Sequence, residues 1–463
     1  MNKAKQGKSN KKVVQVNALE QLNLNAAGID VGSAEIYVAV GPERDAESVR
    51  HFGVFTPDLH KVAAWLKECR IDTVAMEATG IYWIALYEIL EAAGFKVYLV
   101  NARHVKNVAG RKTDVLDCQW LQQLHTYGLL RASFRPEAAI RTLRTLTRQR
   151  DMLIDYRSAH IQHMQKALRE MNLQLDVVLS DLTGVSGQLI IRAIIAGDHD
   201  PKHLAQYRDP GCKHTQAEIE KALLGNYQAE HLFTLQQAVS LYDTYGQKIA
   251  ECEGELEKQY AKLQLDKEEK QLDKEKVLPP LPAPSRRQKR SASKVDFDLR
   301  SFLYNLAGVD LTAIDGFGVL TAQTILAEIG FDMSKWPTVK HFASWLGLSP
   351  HDDISGGKVL RHKTKAVHST ANLAFRQAAQ SAGKTQSALG AFYRRIKAKH
   401  GAAKANLATA HKLARTVYYM LKNQTPYHDP GLPESDEQTK QAMQRNLQRK
   451  AKKLGFELTP IPA

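Results

Sequence analysis

Four acidic residues, Asp30, Glu77, Asp114 and Asp117, stand in contexts that suit metal chemistry. Asp30 lies in Gly28-Ile29-Asp30-Val31-Gly32-Ser33, a strand signal that runs into a small-residue turn. Glu77 closes the short apolar run Thr73–Met76 and is followed by Ala78-Thr79-Gly80. Asp114 and Asp117 stand three apart on a predicted helix, where i and i+3 share a face. Hard divalent cations such as Mg2+ take oxygen ligands. Two of them about 3.5–4 Å apart can activate a nucleophile and stabilise a leaving oxygen in phosphoryl transfer. Each acid also has a bland reading. Asp30 suits a turn or cap, Glu77 a helix N-terminus favoured by the macrodipole, and the Asp pair an exposed helix face. Together they favour a metal site, because an acid ending an apolar strand has little structural reason to be there. Arg111 and Lys112, just before the pair, would suit a nucleic-acid contact.

A second group of candidates lies in the C-terminal half. Ser355 is followed by Gly356-Gly357 and then by Lys358, Arg361, Lys363 and Lys365. A hydroxyl among cations could attack a phosphodiester, since cations stabilise the developing charge. An ordinary polar loop accounts for the same residues and is favoured on the residues alone. In Leu311–Gly330, a short helix, a turn holding Gly316 and Gly318, and a second helix give a helix-hairpin-helix pattern. Its backbone amides would approach a phosphate without reading sequence, although simple helix connectors share the pattern. Leu182–Gly197 is a fainter echo. Arg141, Arg144 and Arg148 share one helix face, and Arg394 and Arg395 sit in a basic, aromatic-bearing helix end. Both groups are candidate nucleic-acid contacts.

The elements that must position these residues alternate. Strand signals at Ala27–Val40, Thr73–Met76 and Lys96–Val100 are interleaved with helices at Asp58–Cys69, Trp83–Ala93 and about Thr113–His125. Strands alternating with helices predict an α/β domain over 21–180, its last part a basic helix. Residues 181–264 read as helical, with a possible coiled-coil arm in Gln216–Leu263. A charged, Pro-rich stretch follows at 265–296 and predicts a flexible linker, with a solvated helical extension as the alternative for its acidic-basic half. The chain then reads as a mainly α domain over 297–425. The basic segment 1–20 is expected to be disordered, and 426–463 to be a polar, peripheral tail.

The composition bounds the function. The 463 residues exceed one ordinary core, and 43% hydrophobic content suffices for more than one. A formal net charge of +15 favours a polyanionic partner without proving one. Four cysteines with no Cys-x-x-Cys pair argue against a structural zinc site and suit a reducing compartment. The N-terminus lacks the apolar region of a signal peptide, and no run approaches the ~20 apolar residues of a membrane span. A cytoplasmic protein is expected.

The order GIDVGS, MEATG, KTDVLDCQWL resembles the DEDD transposases of bacterial insertion-sequence family 110, including its 1111 subgroup. The resemblance extends through Leu182–Leu204 and Phe297–Asn423. It implies a RuvC-type, RNase H-like N-terminal domain and metal ligation by Asp30, Glu77, Asp114 and Asp117. The ions would be Mg2+, two of them, with Mn2+ as a substitute. Ser355 aligns with the family's nucleophile in its SGGK-type segment, which implies a transient phosphoserine and an active centre composed of both domains. Double-stranded DNA, donor and target, a noncoding guide RNA, and a homodimer or tetramer are the implied partners. One departure bears on the nucleophile: many relatives carry Lys-x-Gly-Asn where this chain has His368-Ser369-Thr370-Ala371-Asn372. Ser349, Ser369 and Thr370 therefore stand as alternatives. A RuvC-like nuclease using water, and a non-catalytic nucleic-acid-binding protein, are the rival readings.

Overall fold

The computed structural model describes residues 20–101, 114–271, 278–285, 288, 295–350, 353–356, 358–361, 364, 367, 369–429, 434–457 and 459. The chain forms two compact units, Met1–Arg135 and Pro136–Ala463. The expected α/β domain ran to residue 180. The basic helix that closed it packs instead within the second unit.

The first unit is built on a five-stranded sheet. β1 (Ala26–Val31) and β2 (Glu35–Ala39) form an antiparallel hairpin, so the expected strand signal Ala27–Val40 is two strands. The Gly32 amide closes the turn by donating to the Glu35 carbonyl at 3.0 Å. β3 (Val49–Gly53) pairs antiparallel with β2, and its half-exposed residues give no clean alternation, which hid it in the sequence. Helix α1 (Thr56–Glu68), β4 (Thr73–Glu77), α2 (Trp83–Ala92), β5 (Lys96–Val100) and α3 (Asp114–Thr126) follow. The strand order is β3-β2-β1-β4-β5, with β1, β4 and β5 parallel. This mixed sheet is RNase H-like.

Strand alternation divides the sheet's residues between two faces. Ala27, Ile29 and Val31 of β1 and Val74 and Met76 of β4 join a core with Val62 and Leu66 of α1 and Leu86 and Leu90 of α2. Gly28, Asp30, Thr73, Ala75 and Glu77 therefore take the opposite face, where α3 lies.

The second unit begins with α4 (Ala138–Glu170), which packs against α7 (Ala229–Gln271). Between them come α5 (Val185–Ile195) and α6 (Gln216–Ala222), whose apolar residues pack into one cluster with the facing ends of α4 and α7. Buried positions Ile140, Leu143, Thr147 and Arg150 of α4, and Ile249, Glu253, Leu256 and Tyr260 of α7, repeat at three- and four-residue spacing. The helices run antiparallel: Leu146 meets Cys252, Arg150 meets Glu253, and Arg157 lies over the Tyr242 ring. The Arg150–Glu253 ion pair, at 2.5 Å and almost fully buried, sits at a core position of the seam.

α7 continues through 265–271, so the start of the expected linker is helical. Lys267 there donates to the carbonyls of Asn305 and Leu306, which end α8 (Leu299–Ala307). Residues 278–285 of the same stretch are held as well, for Tyr304 donates to the Pro279 carbonyl and Arg300 to that of Pro282. Helices α9 (Val319–Ile329), α10 (Val339–Trp345), α11 (Thr370–Ala382), α12 (Ala388–His400) and α13 (Ala402–Asn423) form the C-terminal core around Phe317, Phe342, Phe375 and Tyr418. The hairpin β6 (Asp353–Ser355) and β7 (Lys358–Arg361) lies between α10 and α11. The polar tail carries one further helix, α14 (Glu434–Lys453). No described helix is long and apolar enough to cross a membrane.

Candidate active site

β1 and β4 are parallel neighbours with Ile29 opposite Met76, so the next step in register sets Asp30 beside Glu77. Both are half-buried at the C-terminal edge of the sheet, on the face that α3 covers. α3 runs against these strands. His125 near its end meets Thr73 at the start of β4, with Nε2 and Oγ1 2.9 Å apart. Cys118, two turns earlier, lies over Gly28. From Thr73 to Glu77 the strand advances about 13 Å, and from His125 back to Asp117 the helix advances about 12 Å. Asp117 is thus brought level with Glu77, and Asp114 begins the same helix one turn further out.

The electrostatics agree with this placement. Burial pushes the Cys118 thiol up to about 12, and the nearby charge of Asp30 and then of Asp117 adds to the shift. One thiol therefore feels an acid from the sheet and an acid from the helix. Glu77 accepts a hydrogen bond from the Thr79 hydroxyl at 3.3 Å. These four acids offer oxygen donors only, a chemistry that suits a hard cation. Among the described residues no group of three His, Cys, Asp or Glu is closed around a metal position. The Asp114 side chain, and all of Arg111 and Lys112, lie outside the described residues.

His125 anchors the inner end of α3. Thr73 Oγ1 donates its proton to the Lys96 carbonyl, so the imidazole must donate through Nε2. Its Nδ1 is buried without a partner. Burial, and then the charge of Lys96, hold its pKa down to about 4.

In the second unit, Ser355 ends β6 with its side chain exposed, and it pairs with the exposed Lys358 across the hairpin turn. Gly356 in the turn has φ +56°, a conformation that glycine adopts without strain. Arg361 lies in β7, its side chain outside the described ones, as are Lys363 and Lys365 entirely. Of the alternative hydroxyls, Ser369 caps α11 by accepting from the Asn372 amide, which occupies it structurally.

The helical arginines are differently employed from the expectation. Glu328 of α9 accepts two hydrogen bonds from Arg148, at 2.7 and 2.9 Å, and pairs with Arg144 at 3.2 Å. Arg144 also donates to the Ala327 and Glu328 carbonyls, and Arg141 to that of Pro136. The contacts of Arg144 and Arg148 fasten α9 to α4, so part of the face read as a nucleic-acid contact also serves packing. Arg148, half-exposed, retains an open side. The Gly316 turn faces inward as well, since a Cβ there would come within 2.4 Å of the Ala378 carbonyl oxygen. The expected first helix of that motif is the single 3-10 turn Leu311–Ala313, while Gly318 caps α9. Arg394 donates to the Gly383 and Thr385 carbonyls, and Arg395 lies over the Phe392 ring.

Comparison with family models adds the decisive observation. The DEDD transposase model of the IS110 group matches residues 27–173, a span that holds all four acids. A second model, described as the transposase IS116/IS110/IS902 family, matches residues 308–394, a span that holds Ser355. The chain belongs to the IS110 family of transposases. This IS110 transposase is thus a DNA transposase or recombinase; the first family region covers most of the first unit and runs on through α4, while the second lies wholly in the second unit. No curated protein matches it.

The residue that sequence reasoning passed over is Gly28. It is two positions before Asp30 on the same face, and its missing side chain is what lets α3 lie on the sheet. A glycine inside a strand pattern is a known sign of close backbone approach.

Proposed function

We propose that this transposase cuts and rejoins DNA at a site where Asp30, Glu77, Asp114 and Asp117 hold divalent metal. The observation that carries this reading is the side-by-side register of Asp30 and Glu77 beneath the acidic end of α3. Two like charges side by side on adjacent strands cost stability unless a cation lies between them. Mg2+, two ions with Mn2+ as a substitute, would polarise the scissile phosphate and neutralise its developing charge when bound.

Ser355 supplies the nucleophile in this reading. Its exposed hydroxyl, with Lys358 across the turn, attacks phosphorus and releases its proton. The P–O3′ bond breaks, and the 3′-oxygen leaves as a free hydroxyl. The resulting 5′-phosphoserine conserves the bond for rejoining. Double-stranded donor and target DNA are the substrates, and a noncoding RNA chooses them by base pairing. That division of labour leaves the protein mainly backbone contacts, which a chain of net charge +15 can supply. A homodimer or tetramer would carry the strands of both DNAs.

The test is a labelled-DNA assay with Mg2+, scored for protein–DNA adducts. Wild type should form an SDS-resistant adduct, Ser355→Ala none, and Asp30→Asn none. Cleavage by Ser355→Ala without an adduct would replace serine by water. Normal recombination by Asp30→Asn or Glu77→Gln would remove the metal site.

A further inference from the structure

The tail helix α14 plays no part in the site above, yet its charge is segregated: Glu434, Asp436 and Glu437 stand at its start and only cations follow them. From Lys440 to Lys453 the sequence holds six Lys or Arg and no acid. Arg445, Arg449, Lys452 and Lys453 follow the i, i+4, i+7, i+8 spacing of a single helix face. All four are exposed, and among the described residues none has an ion pair. Arg449 makes one polar contact, a hydrogen bond to Asn446 on its own helix. Over eight residues this stripe extends about 12 Å along the axis.

Two ordinary explanations fall short. Cations near a helix C-terminus complement the macrodipole, but that effect is confined to the last turn, and Arg445 lies two turns before the end. Solubility asks for mixed charge, and a surface helix usually intersperses acids with bases. A row of unneutralised cations instead matches an evenly spaced row of anions. We propose that α14 is a backbone-binding arm, its Arg445, Arg449, Lys452 and Lys453 face lying along the phosphates of a nucleic acid. It reads no sequence, because phosphate contacts carry none.

The inference rests on the transposase reading only for the presence of nucleic acid. It is tested with the full chain carrying Arg445→Gln, Arg449→Gln, Lys452→Gln and Lys453→Gln together. Glutamine keeps helix propensity, and the positions are exposed, so the fold is not at risk. Affinity for a random-sequence DNA duplex and for a single-stranded RNA is measured from 50 to 300 mM salt. Loss of four phosphate contacts should make the log–log slope shallower by about 3 to 4 on duplex and about 3 on single strands. A change confined to one of the two ligands identifies which nucleic acid the arm holds. Unchanged slopes on both, or a variant that loses only adsorption to anionic lipid vesicles, would overturn the proposal. Gln448→Ala, an exposed and uncharged position of the same helix, serves as the control and should keep the wild-type slopes. If wild type binds neither ligand, it is the functional reading that fails.

Discussion

Gly28 and Gln122 meet backbone to backbone: a Cβ on Gly28 would stand 2.2 Å from the Gln122 nitrogen and 2.3 Å from the Cys118 carbonyl oxygen. Neither atom is the end of a flexible side chain, so α3 would have to lift from the sheet. The acids at its start would lift with it. Gly28→Ala should therefore cost about 1–3 kcal/mol or more of stability and should cut strand cleavage more steeply than its Tm loss explains. A thermal melt alongside the adduct assay checks both. Wild-type cleavage in Gly28→Ala would show that α3 need not be seated for the chemistry.

Glu328 gathers Arg144 and Arg148, and the two fates open to those arginines separate by experiment. If they serve packing, Glu328→Gln leaves a nearly buried site with its guanidinium partners unpaired. It should destabilise the chain by about 2–4 kcal/mol, less for the half-exposed Arg148 than for Arg144. Arg148→Gln should lower Tm modestly while leaving the salt slope of DNA binding within one unit of wild type. A slope loss near one for Arg148→Gln with unchanged Tm would return that arginine to the nucleic acid.

His125 ties stability to pH. Its folded pKa, about 4, lies below the ordinary 6.5, so between those values the unfolded chain binds the extra proton. Stability from this residue is full above about pH 6.5 and declines as pH falls toward 4, with up to about 3 kcal/mol at stake. Denaturant unfolding at pH 7.5, 6 and 5 should show that decline. His125→Gln, which can still meet Thr73, should flatten it. An equally steep decline in the variant would assign the effect to other groups.

How much of this was written legibly in the chain differs by element. Thr73–Glu77 and Lys96–Val100 were plain, because buried parallel strands are continuous apolar runs with abrupt ends. Asp30 and Glu77 stood out for the same reason, since each interrupts the apolar run of a buried strand. β3 was not, since Arg50 and His51 sit at a half-exposed edge where neither face demands apolar residues. The partner of the α4 arginine face was not legible, because charge on a helix stripe says nothing of what faces it, and Glu328 is 180 residues away from Arg148. The charged stretch 265–296 left two readings open, a flexible linker and, for its acidic-basic half, a helical extension. Its composition forecasts disorder, but Lys267 and the carbonyls of Pro279 and Pro282 find partners on α8.

The register of Asp30 against Glu77 yields the sharpest check on the metal site, because it predicts a change of sign. Without metal, the two carboxylates repel across neighbouring strands, at a cost on the order of 0.2–1 kcal/mol. Asp30→Asn removes one charge and keeps the shape, so in EDTA the variant should melt slightly higher than wild type. Ligand binding to the folded state stabilises it by about 2.7 kcal/mol at a hundredfold excess over Kd. In saturating Mg2+ or Mn2+ the wild type should therefore gain several degrees and overtake the variant, whose Tm should barely respond. Glu77→Gln and Asp117→Asn should behave alike. A structural acid, acting as a turn or cap, would lose stability on amidation in both buffers and would show no crossing. The crossing of the two melting curves is a signature that only repulsion relieved by a bound cation produces, and it requires no DNA, no RNA and no turnover.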